Sequence, residues 1–279
     1  MQEKGDEKLQ AQFFPCCPVC GAALTQNGRT LQCARRHSFD LAKEGYVNLL
    51  IGNHKSGDSI GDSRAMARAR HQFLERGYFD VLRLAMAQQM QTLTGENPLV
   101  LDICCGEGYY AAGVAAAKPC RLLGFDLSKE MVRLAAKRKV PNALFFVANL
   151  SAIPLPEQSV DFAMHLFAPF HAQAFARVLK ESGTLLSVIP GRDHLFSLKK
   201  AVYDTPYRND EQAPDGGVLR LLERTRVKKT IFLESNEDIR ALFSMTPYAY
   251  RTSREDLAKI EKLETLETDV DFVLLRYGK

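Results

Sequence analysis

The chain has 279 residues, room for one large domain or for one large and one small domain. It is 46% hydrophobic and 25% charged, as in a globular protein that buries a full core, and no apolar run approaches the roughly 18–20 residues that span a bilayer. A net charge of +4 and a pI near 8.6 permit a nucleic-acid partner without demanding one.

The opening MQEKGDEKLQAQ mixes acids and bases and lacks an apolar core, so it reads as a frayed start over residues 1–15 rather than a signal peptide. A cytoplasmic protein is expected. Seven cysteines, an odd number, argue for metal binding or buried thiols rather than a disulfide framework.

Residues 16–50 are dense in Cys, Gly, Arg and His, a stretch too small to hold itself together by burial. Cys17 and Cys20 form C-x2-C, and after twelve residues Cys33 and His37 form C-x3-H. Two such pairs complete a tetrahedron around Zn²⁺, and four protein ligands make the site structural. Arg29, Arg35 and Arg36 sit in this module, either as phosphate contacts or as a solvated edge.

Residues 51–96 read as helical, with a break at Gly77–Tyr78. From residue 97 to 279 strands and helices alternate. Strands are predicted over Pro98–Ile103, Arg121–Asp126, Ala143–Ala148, Val160–Phe167 and Gly183–Ile189, with a last one over Val270–Gly278. Helices fit at Tyr109–Ala117, Ser128–Lys137 and Ala172–Leu179, and Asn209–Gly217 reads as a loop. The fold class is therefore α/β: a doubly wound, Rossmann-like, mostly parallel sheet, with a small N-terminal zinc-ribbon-like module.

VLDICCGEGYY carries the sharpest chemistry. A strand ends at Asp102, and Gly106 and Gly108 let the backbone approach a ligand at the carboxyl edge of the sheet. The second strand ends in Asp126, an acid able to accept hydrogen bonds from ribose hydroxyls. The same layout serves NAD, but G-x-G-x-x-G spacing is absent and an acid precedes the turn. S-adenosylmethionine is the expected cofactor, with Asp102, Gly106, Glu107, Gly108, Asp126 and Asn149 in its site. Cys104 stands where methyltransferases place the first glycine of D-x-G-x-G.

CPVCGAAL, CARRHSFDLAKEGYVNLL, VLDICCGEGYY and SMTPYAYR together resemble the bacterial 23S ribosomal RNA guanine-N1 methyltransferases, from Cys17 to the last strand. The resemblance implies zinc ligands at Cys17, Cys20, Cys33 and His37, and cofactor contacts at Gly106 and Glu107. It adds two more: Phe79, where relatives carry Tyr, and His194, in P-G-x-x-H after the fifth strand. It also implies a homodimer gripping a hairpin of 23S rRNA. Phe167 or Phe170 is a candidate to stack on an extruded base, and the basic helix residues Arg64, Arg68, Arg70 and His71 are candidates to track phosphate. His165 and His171 read as structural, and no residue presents itself as the base that takes the N1 proton. A small-molecule methyltransferase and a non-catalytic RNA-binding factor with a decayed cofactor site are the competing readings.

Overall fold

The structure, a computed structural model, describes residues 14–51, 64–250 and 252–279. The expected frayed start up to residue 13 and the expected helical stretch 52–63 lie outside the described residues. The N-terminal module is a three-stranded antiparallel sheet of β1 (Leu24–Asn27), β2 (Thr30–Cys33) and β3 (Ser38–Asp40). Asn27 pairs with Thr30, so β1 and β2 are joined by a two-residue turn. Gly28 at φ +60 supplies the left-handed conformation that such hairpins require.

The turn Ala42–Tyr46 then returns the chain, with Gly45 at φ +96, into β4 (Val47–Asn48). This strand does not belong to the ribbon sheet. It pairs in parallel with β7 (Ala143–Val147) at the edge of the main sheet. HSFDLAKEGYVNLL is thus the segment that hands the ribbon over to the main sheet. Glu44 fixes the turn through Arg133, 3.7 Å away, and Tyr46 is buried.

Helices α1 (Arg64–Glu75) and α2 (Asp80–Gln91) flank the expected break, where Gly77 has φ +78. The alternation that follows is β5 (Leu99–Ile103), α3 (Tyr109–Ala117), β6 (Arg121–Asp126), α4 (Lys129–Lys137), β7, β8 (Val160–Leu166), α5 (Ala172–Val178) and β9 (Leu179–Pro190). Ser128 caps α4 rather than opening it, its hydroxyl accepting the Met131 N–H at 3.4 Å.

The large sheet has eight strands in the order β10-β11-β9-β8-β5-β6-β7-β4. Strands β5 to β9 run parallel, and β11 (Leu266–Gly278) lies antiparallel to β9 and to β10 (Arg220–Leu233). The order reverses between β5 and β8, which opens a crevice at their carboxyl ends. Period-two burial splits β5 between the two faces: Val100 enters one apolar cluster, and Leu99, Leu101 and Ile103 enter the other.

Cys17, Leu24, Leu31 and Val47 share that second cluster with Leu101 and Phe146, so the ribbon core is continuous with one face of the sheet. Backbone bonds from Cys16 to Pro154 (2.7 Å) and from Leu49 to Val147 (2.9 Å) reinforce the join. Strand β10, with helices α7 (Asn236–Ser244) and α8 (Arg254–Glu261), was not expected. β10 is the outer edge strand, exposed over most of its length, and its run of charges hides the strand period.

Candidate functional site

Three residues of the turn after β5 adopt left-handed backbone: Cys104 (φ 56), Gly106 (φ 53) and Gly108 (φ 74). The turn is held from the next strand. Cys105 N–H donates to Phe125 O at 2.8 Å, and Gly106 N–H donates to Asp126 Oδ2 at 3.0 Å. Asp126 Oδ1 accepts the Ser128 N–H at 2.8 Å, so one carboxylate ties the glycine turn to the start of α4. Asp102, Cys104, Gly106, Glu107, Asp126 and Asn149 line one cavity of about 510 Å³ at the carboxyl edge of the sheet, a size suited to a small-molecule ligand.

Gly108, expected in the cofactor set, does not line this cavity. It is the N-cap of α3, and a Cβ there would meet Ala135 at 3.0 Å and the Phe145 ring at 3.4 Å. Glycine is needed here for helix packing.

Burial, and then the charge of Asp126, push the Asp102 carboxyl well above its usual range. A ligand that brings positive charge relieves that cost, and S-adenosylmethionine brings a sulfonium and an ammonium. Glu107 is buried, and its carboxylate is bound by Arg138 at 2.7 Å and by His71 Nδ1 at 2.6 Å. Arg138 Nε also donates to the Glu107 carbonyl at 2.8 Å. Sequence reading missed this clamp. A buried acid requires a cation, but nothing in the sequence says that the cation comes from the end of α4.

Phe79 and His194, the two contacts implied by resemblance alone, lie together outside the first cavity. Both pack on Phe272, with ring centroids 5.3 Å and 4.8 Å away. They line a second cavity of about 470 Å³ that shares Arg70, Leu74, Tyr110 and Phe167 with the first. The Asp271 N–H donates to His194 Nδ1 at 3.2 Å, which leaves the ring proton on Nε2. Asp271 is itself fully buried, gripped by Arg226 at 2.6 Å and 2.8 Å.

Phe167 and Phe170 part company. Phe167, at φ 53 and 48% exposed, stands on the wall between the cavities, whereas Phe170 packs among His165, Phe175 and Tyr277. His165 accepts from Ser187 Oγ at 3.0 Å and donates from Nε2 to the Pro169 carbonyl at 3.1 Å, a structural role. The basic helix divides likewise: Arg70 lines both cavities and Arg68 is exposed.

In the ribbon, the Sγ atoms of Cys17, Cys20 and Cys33 and a ring nitrogen of His37 all lie within 4.8 Å of one another. Cys20 and Cys33 Sγ are 3.8 Å apart, and His37 Nδ1 is 3.5 Å from Cys17 Sγ and 3.4 Å from Cys33 Sγ. A tetrahedral zinc with ordinary bond lengths requires about 3.8 Å between sulfurs and about 3.5 Å from sulfur to nitrogen. Burial opposes the Cys33 thiolate, but the N–H groups of His37 and Arg35 and the neighbouring thiols of Cys20 and Cys17 hold its pKa down to about 7. The four side chains therefore fit a structural zinc.

With this geometry in hand, likeness to known proteins decides the family. The family described as "RlmA, N-terminal", a zinc ribbon, matches residues 16–57, and the family described as "Methyltransferase domain" matches residues 100–187. The 23S rRNA (guanine(748)-N(1))-methyltransferase of Streptomyces fradiae is 31% identical over 87% of this chain and 88% of its own. YxjB of Bacillus subtilis, named for the 23S rRNA guanine-N1 methyltransferases, is 30% identical over 93% of this chain and 95% of its own. The chain belongs to the 23S rRNA (guanine-N1)-methyltransferase family. Two features of the site have consequences for stability: the cysteine in the glycine turn and the buried neutral histidines.

Cys104 holds a conformation that costs an L-residue about 1–2 kcal/mol. Burial, with Asp126 and Asp102 nearby, pushes its thiol up to about 12, so it is no nucleophile. Cys104→Gly is expected to raise stability by about 0.5–1 kcal/mol in urea melts, strain relief exceeding the entropy cost of glycine; a loss of stability would show that the thiol packing matters more. Burial holds His165 and His194 down to about 4, below the unfolded value of 6.5. The unfolded chain therefore takes up protons first as pH falls, and their stabilisation is complete above pH 6.5 and lost between 6.5 and 4. Each contributes a slope of up to about 1.4 kcal/mol per pH unit; urea melts of His194→Gln at pH 7, 6 and 5 should show the shallower decline. Stripping the zinc removes the ribbon's ligand-derived stability and, through the shared core, is expected to lower the thermal midpoint of the whole chain. A midpoint unchanged by a strong chelator would contradict the shared core.

Proposed function

We propose that this protein transfers a methyl group from S-adenosylmethionine to N1 of a guanine in a hairpin of 23S ribosomal RNA. The observation that carries this reading is the position of the ribbon beside the cofactor cavity. Ala148 and Asn149 line that cavity and also the cleft where Cys17, Gly21 and Leu49 meet the sheet. A small molecule held in the first cavity needs no second grip at its rim; a folded RNA does.

S-adenosylmethionine, when bound, supplies an electrophilic methyl group on a sulfonium. The chain's own residues bind and orient. Asp126 already carries two backbone N–H groups, and its remaining lone pairs suit ribose hydroxyls. Asp102 and Asn149 face the same space, and Gly106 lets the backbone approach. The Glu107 carboxylate is committed to Arg138 and His71, which leaves its backbone for the cofactor. Phe79 and His194 serve the far end of the site, next to Arg70. Cys17, Cys20, Cys33 and His37 hold the zinc.

Exposed Arg35 and Arg36 on the ribbon and Arg68 on α1 supply phosphate contacts. The family resemblance supports a homodimer, and a ribosomal substrate supports a cytoplasmic reaction.

Primer extension on 23S rRNA tests the reading, because N1 methylation blocks base pairing during reverse transcription. We expect one strong stop at a guanine in wild-type RNA, its loss in a deletion strain, and its return with the wild-type gene. Restoration should fail with Asp126→Ala. RNA without any stop that depends on the gene would leave a small-molecule substrate, and absence of cofactor binding at millimolar concentration would leave an RNA-binding factor without activity.

A further inference from the structure

The SMTPY segment has no part in the cofactor cavity, yet Met245, Thr246 and Tyr248 line the second one. So do Lys199 of helix α6 (Phe196–Val202), Tyr207 and Asn209. Lys199 is 1% exposed. Its ammonium donates to Asn209 Oδ1 at 2.6 Å and to the Tyr207 carbonyl at 3.3 Å, and lies 4.0 Å from the centre of the Tyr207 ring. An ammonium has three donors, and the third has no hydrogen-bond acceptor among the described residues.

No described carboxylate pairs with it. Asp271 on β11 is engaged by Arg226, and Asp193, in the loop before α6, is engaged by Lys228. Other groups on this wall can also donate, the hydroxyls of Thr246 and Tyr248 among them. His194 presents Nε2–H, and Arg70 stands at the boundary with the first cavity. Burial lowers the lysine's affinity for its proton, so a cation kept here without a counter-charge calls for an electron-rich ligand. The walls suit a planar one. Tyr207 is 55% exposed, and Phe167, in strained backbone, stands where this space meets the cofactor's.

We propose that this second cavity receives the target guanine, with the Lys199 ammonium donating to its O6 and holding the negative charge that gathers there as N1 loses its proton. The proposal rests on the guanine-N1 reading above. The N1–H bond breaks and the proton passes to hydroxide or water at the cavity mouth. The N1 electron pair forms the bond to the methyl carbon, and the electrons of the carbon–sulfur bond remain on sulfur. Lys199 gives up no proton; it lowers the cost of the anion, as a preorganised donor does at a developing oxyanion. No general base among the side chains is then needed, which agrees with His194, whose Nδ1 is occupied by the Asp271 N–H and whose Nε2 already carries the proton.

Lys199→Met tests this by three readouts on the purified chain with a 23S rRNA hairpin as substrate. Affinity for S-adenosylmethionine by calorimetry should stay within about twofold, and RNA affinity within about threefold. The single-turnover rate at neutral pH should fall about 100-fold. The deficit should shrink as pH rises, because the rising limb of the rate profile moves to higher pH. Lys199→Arg keeps the charge and should show the same displacement in smaller degree, which covers a methionine variant that fails to fold.

A loss of cofactor affinity of tenfold or more with the saturated rate intact would assign Lys199 to the cofactor's carboxylate and overturn the proposal. A deficit equal at every pH would reduce it to a structural role. Wild-type protein that methylates no guanine sinks the functional reading and the pocket together, whereas a wild-type stop with an unchanged Lys199→Met profile sinks the pocket alone.

Discussion

The Asp126 carboxylate, between the glycine turn and the first turn of α4, is the interaction on which the rest of the site depends. It accepts Gly106 N–H at 3.0 Å and Ser128 N–H at 2.8 Å, while Cys105 N–H reaches back to Phe125 O at 2.8 Å. Two neighbouring parallel strands are thereby locked at their carboxyl ends. Only with that lock can Cys104, Gly106 and Gly108 alternate through left-handed backbone and still present a fixed wall. The strain at Cys104 is tolerated because its neighbours on both sides are pinned.

The second constraint is that the ribbon is not independent. Its zinc ligands sit at one end of a cluster that runs through Leu24 and Val47 to Phe146 and Leu101 in the main sheet. A metal that orders the ribbon therefore also orders the strand β4 and the rim at Asn149. Position, and not merely presence, makes the ribbon useful. It borders the cavity from which a methyl group would be delivered.

The third is the aromatic cluster around Phe272 on β11. Phe79 from the loop before α2, Phe167 from the loop after β8, and His194 from the loop after β9 all meet its ring. Three loops distant in sequence are brought to one wall, and the two cavities touch there. The antiparallel β11 is thus more than the closing strand of the sheet. It carries the residue that holds this wall in register, and its Asp271 orients His194.

Much of this was legible in the sequence, and the reasons are local. Strand–helix alternation, the acid–glycine turn with its second acid, and the paired knuckles of the ribbon depend on residues close along the chain, where backbone geometry and ligand spacing repeat from protein to protein. The strands β5, β6 and β8 and the tetrad Cys17, Cys20, Cys33 and His37 were readable for that reason. Strand β10 was not, because an edge strand buries little and its charges mask the alternation. Nor was the packing role of Gly108, which depends on Ala135 approaching from another helix. The clamp of Arg138 and His71 on Glu107, the meeting of Phe79 with His194, and the uncompensated ammonium of Lys199 arise between segments tens of residues apart. The sequence by itself determined the chemistry available: a zinc ribbon, a cofactor turn and a set of aromatic and basic residues. Tertiary structure alone decided which of them share a cavity and which buried charges find a partner, because burial and proximity are properties of the packed chain and not of its order.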